Sequence, residues 1–313
     1  MSPLEAWPNL DVGNWRDTRA TLHLWTQVVG KIRLALVPWL NHSWHVPLYV
    51  SSRGLTTSVM PHGSRMVEIQ FDFKDHVLNI DVSDGQERRV PLEPQPVAQF
   101  YRRVFVALEE LGVPVAINPF PCEIVGAIRL DRDDVHASYD RDWAQRFWRA
   151  LAQADRVFKA FRTGFIGKAS PVHFFWGSFD LSVTRFSGRR APLFEGNVPG
   201  LALPVMQEAY SHEVSSAGFW PGGPGADEPN FYSYAYPTTP AFKAAAVQPN
   251  AARWSDQLGE FLLPYDAVRR SEDPDATLLA FLESTYAAAA DSTHWDRAAL
   301  ECPRGVAGRP PFA

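Results

Sequence analysis

The sequence predicts an α+β protein of two pseudo-repeated halves, each an antiparallel sheet backed by helices, packed around a central cleft. Three observations predict it. Long stretches with apolar residues at helical spacing alternate with short stretches in which apolar and polar residues alternate. The order helix, strands, helix occurs twice. The spacing also repeats, because Trp25 precedes Leu55 of Gly-Leu-Thr-Thr by 30 residues and Trp148 precedes Leu181 of Asp-Leu-Ser-Val-Thr by 33. The halves are drawn at 1–130 and 141–302, with 131–140 as connector, long loop insertions in the second half and 303–313 as a flexible tail.

In the first half, Leu22, Trp25, Val29, Ile32 and Leu36 form one helical stripe that Pro38 limits. Residues 46–51 and 55–59 read as strands around the Arg53-Gly54 turn. Val67, Ile69, Phe71 and Phe73 alternate with polar residues, Lys74-Asp75 turns the chain, and Leu78, Ile80 and Val82 alternate again, which makes a hairpin with one buried face. A second helix carries Val97, Phe100, Val104, Leu108 and Leu111 and stops at Gly112. Residues 113–117 and 123–128 read as strands around Pro119 and Pro121.

The second half opens on a helix at about 141–163 with Trp143, Phe147, Leu151, Ala154, Phe158 and Phe161 on one face. Strands are expected at 172–177, 179–186, 208–215, 231–236 and 260–265. The last helix starts at Asp273-Pro274, an N-cap followed by a proline at the first helical position, and uses Leu278, Leu282 and Tyr286. The stretches His173-Phe-Phe-Trp-Gly-Ser-Phe-Asp-Leu181, Ser211-His-Glu-Val-Ser-Ser-Ala-Gly-Phe-Trp-Pro-Gly222 and Tyr232-Ser-Tyr-Ala-Tyr-Pro237 together resemble an uncharacterised bacterial family of unknown function, over most of the chain. The resemblance supplies no activity, cofactor or catalytic residue.

A net charge of −5 argues against a nucleic-acid or anionic-membrane partner. Cys122 and Cys302 are far apart, so neither a disulfide scaffold nor a thiolate metal cluster is expected. No apolar run reaches membrane length and the N-terminus lacks a signal-peptide pattern, which predicts a soluble, cytoplasmic monomer or homodimer. Phosphate loops, dinucleotide fingerprints, His-Glu-x-x-His and Gly-x-Ser-x-Gly are missing. Pro221-Gly-Gly-Pro-Gly225 has two prolines where a phosphate nest needs amides, and reads as a mobile loop.

Candidate chemistry concentrates in 172–220, where the densest aromatic clusters sit beside histidines and carboxylates. On a straight strand His173 shares a face with Phe175, Gly177 and Phe179, and a bulge at Gly177 would leave the parity beyond it open. His212 shares a face with Tyr210 and Glu208, while Glu213 points the other way. Two imidazoles and a carboxylate make His173, His212 and Glu208 candidate ligands for a divalent iron or zinc ion, although the spacing is not diagnostic. Without metal, His212 becomes a general acid or base tuned by Glu208 or Glu213, with His173 beside it. Arg185 is a candidate for a substrate carboxylate or phosphate, the competing role being an ion pair with Asp180. Trp176, Tyr210, Phe219, Trp220 and Tyr234 complete the expected wall. Tyr232, Tyr234 and Tyr236 alternate on one strand face, as a binding wall or as cross-strand packing. His42 and His45 look like loop material, and His23, His76, His136 and His294 are taken as structural. The leading expectation is an enzyme, oxidoreductase or hydrolase, acting on a small, partly aromatic or apolar molecule. The alternatives are a non-catalytic small-molecule-binding protein and an interaction scaffold.

Overall fold

Asp11 starts the first long helix, α1 (Val12–Leu36), by accepting the Asn14 amide proton at 3.2 Å. Its stripe of Leu22, Trp25, Val29 and Ile32 is fully buried, and the helix ends two residues before Pro38. The computed structural model describes residues 6–198, 200–223 and 228–309. Six short strands follow: β1 (Tyr49–Val50), β2 (Gly54–Thr56), β3 (Met60–His62), β4 (Arg65–Asp72), β5 (Val77–Val82) and β6 (Glu87–Pro91). They form one antiparallel sheet in the order β1-β2-β4-β5-β6, with β3 continuing along β4 beyond β2. The β4–β5 hairpin pairs Val67 with Val82, Ile69 with Ile80 and Phe71 with Leu78, so these six apolar residues fall on one buried face. Helix α2 (Val97–Glu110) then stops at Gly112, whose φ of 64° is in the left-handed region.

The strands expected at 113–117 and 123–128 do not form. Pro114, Pro119 and Pro121 withhold amide donors from any ladder. Gln27 on α1 replaces the missing partner, since its Oε1 accepts the Cys122 N–H and its Nε2 donates to the Cys122 carbonyl, both at 2.8 Å. The acidic connector is tied down as well. Buried Asp133 accepts the amides of Val135 and His136 at 3.0 Å and pairs with the His136 ring at 2.7 Å.

Helix α3 (Arg141–Arg162) opens the second half, followed by β7 (His173–Phe175), β8 (Asp180–Arg190), α4 (Leu203–Ala209), β9 (His212–Trp220) and β10 (Asn230–Tyr236). After them come α5 (Pro240–Lys243), β11 (Arg253–Ser255), β12 (Glu260–Pro264), α6 (Tyr265–Arg269), α7 (Pro274–Ser292) and α8 (Arg297–Leu300). The second sheet is antiparallel in the order β11-β12-β10-β9-β8-β7. One expected strand is corrected: 208–215 starts only at His212, because Leu203-Pro-Val-Met-Gln-Glu-Ala is a helix with proline in its first turn. Glu208 and Tyr210 therefore do not share a strand with His212.

The protein is thus α+β, with eight helices among the described residues and two open six-stranded antiparallel sheets. Leu55 and Leu181 both fall on the second strand of their sheets, as the repeated spacing implies. The strand orders differ, however, since β12 inserts between β10 and β11 whereas the first sheet runs on as a meander. The sheets meet edge to edge. Leu48, just before β1, pairs with Phe174 of β7 through two backbone hydrogen bonds of 2.8 and 2.9 Å. Helices cross the boundary too: Trp15 of α1 packs on Phe147 of α3 at 5.2 Å, and Trp148 of α3 donates its Nε1–H to the Ser51 carbonyl. Of the expected tail, Gly305 donates to Thr163 at the end of α3, and 310–313 lie outside the described residues, as do 224 and 225 of the expected mobile loop. Among the described residues no helix is long and apolar enough to cross a membrane.

Candidate active site

The second sheet has two unlike faces, and its register shows why. Phe174, Leu181, Phe219 and Phe231 follow one another across four strands on the face that packs on the helices. One residue along, His173, Ser182, Gly218 and Tyr232 form the neighbouring row on the opposite face, and Thr184, Ser216 and Tyr234 form the next. A cavity of about 850 Å³ lies on this second face, bordered by the 123–128 segment, residues 19–24 of α1 and the end of α4. The chain turns at 176–179, with Phe179 at φ 61°, so His173 ends up facing Asp180, Ser182 and Thr184 rather than Phe179 and Leu181.

Asp180 is the centre of the cavity's chemistry. It is buried, accepts hydrogen bonds from the Ser178 and Tyr232 hydroxyls, and its pKa is raised by that burial. Tyr232 reaches it from β10 by lying across β9. This works because its register partner is Gly218, where an added Cβ would stand 2.3 Å from the Tyr232 ring and hydroxyl. Glu123 comes in from the irregular segment and rests on Gly177, where a Cβ would meet its Oε1. Burial, and then the charge of Asp180, push Glu123 up to about 7 and Glu260 of β12 up to about 8. Two glutamates therefore feel the charge of Asp180 across a single cavity. Tyr234 and Tyr232 stack at 6.2 Å, and the Tyr210 hydroxyl donates to that of Tyr234. His23 of α1 lines the same space, donates its Nε2–H to the Gly177 carbonyl at 2.8 Å, and is lowered by burial to about 4.

His173 stands at the β7 edge of the cavity, ringed by Trp44, Tyr49 and Phe175 with centroids 6.0, 5.5 and 5.5 Å away. It is 1% exposed and neither ring nitrogen has a partner among the described residues. Burial, and then the charges of Arg33 and Arg162, lower its pKa to about 3, so the ring is neutral.

Of the residues expected from sequence, His173, Tyr210, Trp220 and Tyr234 line the cavity. The others go elsewhere. His212 is outside the lining, with its ring 6.0 Å from that of His42, and is lowered by burial and by Lys168. Glu208 receives the His42 amide on both carboxylate oxygens at 2.7 and 2.8 Å, which holds His42 in its left-handed conformation, φ 58°. Glu213 pairs with Arg189 at 2.7 Å on the helix side of the sheet. Arg185 is also on that side, pressed on the Phe161 ring at 3.4 Å and the Tyr286 ring at 4.3 Å, with Glu283 rather than Asp180 as its nearest carboxylate. Phe219 is core, and Trp176 donates its Nε1–H to the Val46 carbonyl at 2.8 Å outside the lining. Among the described residues no three His, Cys, Asp or Glu side chains converge to hold a metal ion, so His173, His212 and Glu208 do not form the expected centre.

Asp180, Glu123 and Glu260 are site residues not expected from the sequence, and Tyr232 of the tyrosine ladder proves to be part of the wall. A signal existed, because Asp180, Glu123 and Glu260 each interrupt an apolar run, as in Phe179-Asp-Leu181, Cys122-Glu-Ile124 and Gly259-Glu-Phe261. His42, read as loop material, is also buried and lines the cavity with its Nε2 accepting from Lys168 at 2.6 Å. His23 and His136, taken as structural, are lining residues too.

No curated protein and no solved structure matches the chain. A model described as "Family of unknown function (DUF5996)" matches residues 7–302, nearly the whole chain, and the protein therefore belongs to that family.

Proposed function

We propose that the protein is an enzyme that acts on a small, partly aromatic molecule enclosed in this cavity, with Asp180, Glu123 and Glu260 as its proton-transfer groups. One observation carries the reading: three carboxyl groups line one aromatic cavity, each raised by burial and two of them, Glu123 and Glu260, further by the charge of Asp180. The set separates into roles. Asp180 accepts two hydroxyl hydrogen bonds, which favour its ionised form over its neighbours'. Glu260 and Glu123 then hold protons near neutral pH in the unliganded cavity and exchange them during binding and reaction, a division that environment alone imposes on like groups. His173 orients the substrate from the other end as a neutral hydrogen-bonding group. A reducing, cytoplasmic setting agrees with the two free cysteines.

The test is substrate-blind. Wild-type protein and the Asp180→Asn variant are incubated with a small-molecule metabolite extract, and consumption is followed by untargeted mass spectrometry. The reading expects at least one compound consumed by wild type and spared by the variant. Compounds retained unchanged by both would identify a binding protein instead.

A further inference from the structure

The cavity's charge has a direction. The oxygens of Glu123 and Glu260 have no hydrogen bond or ion pair among the described residues, and after burial the influence each feels is another carboxylate, Asp180. Arg19 also lines the cavity from α1 and brings a positive charge, which contributes to the lowered pKa of His23. Stacked Tyr232 and Tyr234, with Tyr210 and Trp220 nearby, add ring faces whose quadrupoles attract a cation. At the β7 edge, His173 is 1% exposed with both nitrogens unpartnered among the described residues, a buried polar group that a ligand atom would satisfy.

Resting on the reading of this cavity as a small-molecule site, we propose that its substrate is an organic cation: an ammonium group on an aromatic or apolar body, with a polar substituent that meets His173. The ammonium lies among Asp180, Glu123 and Glu260 against the tyrosine faces, and the body lies along the aromatic wall. An anionic ligand would meet three carboxyl groups, and a neutral one would leave Glu123 and Glu260 without a partner. Cation binding favours the ionised carboxylates, so it releases protons from Glu123 and Glu260, and affinity rises with pH through the range around 7 and 8 where these two titrate. His23 and His173, lowered to about 4 and about 3, stay neutral throughout that range.

Calorimetric titration of the full chain with phenethylammonium, benzyltrimethylammonium, 2-phenylethanol and 3-phenylpropionate tests this. The two cations are expected to bind about tenfold or more tightly than the alcohol and the carboxylate, the scale of one charge-assisted contact. Affinity for benzyltrimethylammonium, whose charge is fixed, should rise from about pH 6 to about pH 9. Glu260→Gln keeps the shape of an unpaired side chain and should weaken the cations while leaving the alcohol unchanged, and Asp180→Asn, checked for folding by circular dichroism, should do the same. The proposal is overturned if the alcohol or the carboxylate binds as tightly as the cations, if no probe binds, or if Glu260→Gln leaves cation affinity and its pH dependence intact. Its fate is separable from that of the enzyme reading. Turnover of a neutral or anionic compound would sink the cation alone, and selective cation binding with no turnover would sink the enzyme alone.

Discussion

Asp180 and Arg185 lie on the same strand with opposite parity, and that parity decides what each does. Asp180 opens onto the cavity, whereas Arg185 is sealed among Phe161, Phe165 and Tyr286 and is lowered by burial to about 10. Arg185→Ala removes a large side chain from a closed site and should cost about 2–4 kcal/mol in denaturant unfolding. Cation binding in the cavity should persist in that variant under native conditions. Glu260 makes the opposite prediction. Its folded pKa of about 8 lies above the ordinary 4.5, so the folded state holds the extra proton between those values and loses stability as pH rises through them. Glu260→Gln should therefore gain in melting temperature relative to wild type at about pH 9 and lose that gain at about pH 4. A difference that does not change with pH would contradict the shift. The strand itself is legible in the sequence but the roles of these two residues are not, because the turn at 176–179 reverses the faces beyond it and no local pattern states how many residues a turn consumes.

At the scale of elements, the parts that were legible are those specified by their own residues. The β4–β5 hairpin and the α7 cap follow directly from alternation and from Asp273-Pro274, and Asp273 does accept the Ala276 amide at 3.0 Å. Asp273→Ala should cost about 1 kcal/mol in unfolding free energy, with the cavity unaffected. Elements that depend on distant partners were not legible. The 113–128 segment looks strand-like by composition, yet Gln27, almost a hundred residues away in sequence, takes up its backbone groups. Gly218 shows the same dependence within β9, where its missing side chain is what lets Tyr232 reach Asp180. Gly218→Val should displace the Tyr232 ring, lower stability by about 1–3 kcal/mol and abolish cation binding. Unchanged affinity in a folded Gly218→Val protein would detach Tyr232 from the site.

Across the whole molecule, helix-sheet-helix was readable twice over, but the joining of the two sheets was not. The Leu48–Phe174 bridge, the Trp15–Phe147 contact and the Trp148–Ser51 hydrogen bond give the two halves one continuous core. The joint also shapes the site, because Trp44, Tyr49 and His42 of the first half stand beside β7 and β8 of the second. Chemical unfolding should accordingly be a single transition by both fluorescence and circular dichroism. Two separated transitions would show that the halves fold independently.

The functional expectations rest on three carboxyl groups sharing one cavity, with Glu123 and Glu260 ionising near neutrality. Carbon-13 NMR titration of side-chain carboxyl carbons in the wild-type protein, with Glu123→Gln and Glu260→Gln for assignment, measures this directly. The account predicts two glutamate resonances with midpoints near 7 and 8, each lost in one variant, and a fall of both midpoints when Asp180→Asn removes the charge they feel. If every glutamate titrates near the ordinary 4.5, with no response to Asp180→Asn, the cavity has no acid–base machinery and the account is wrong.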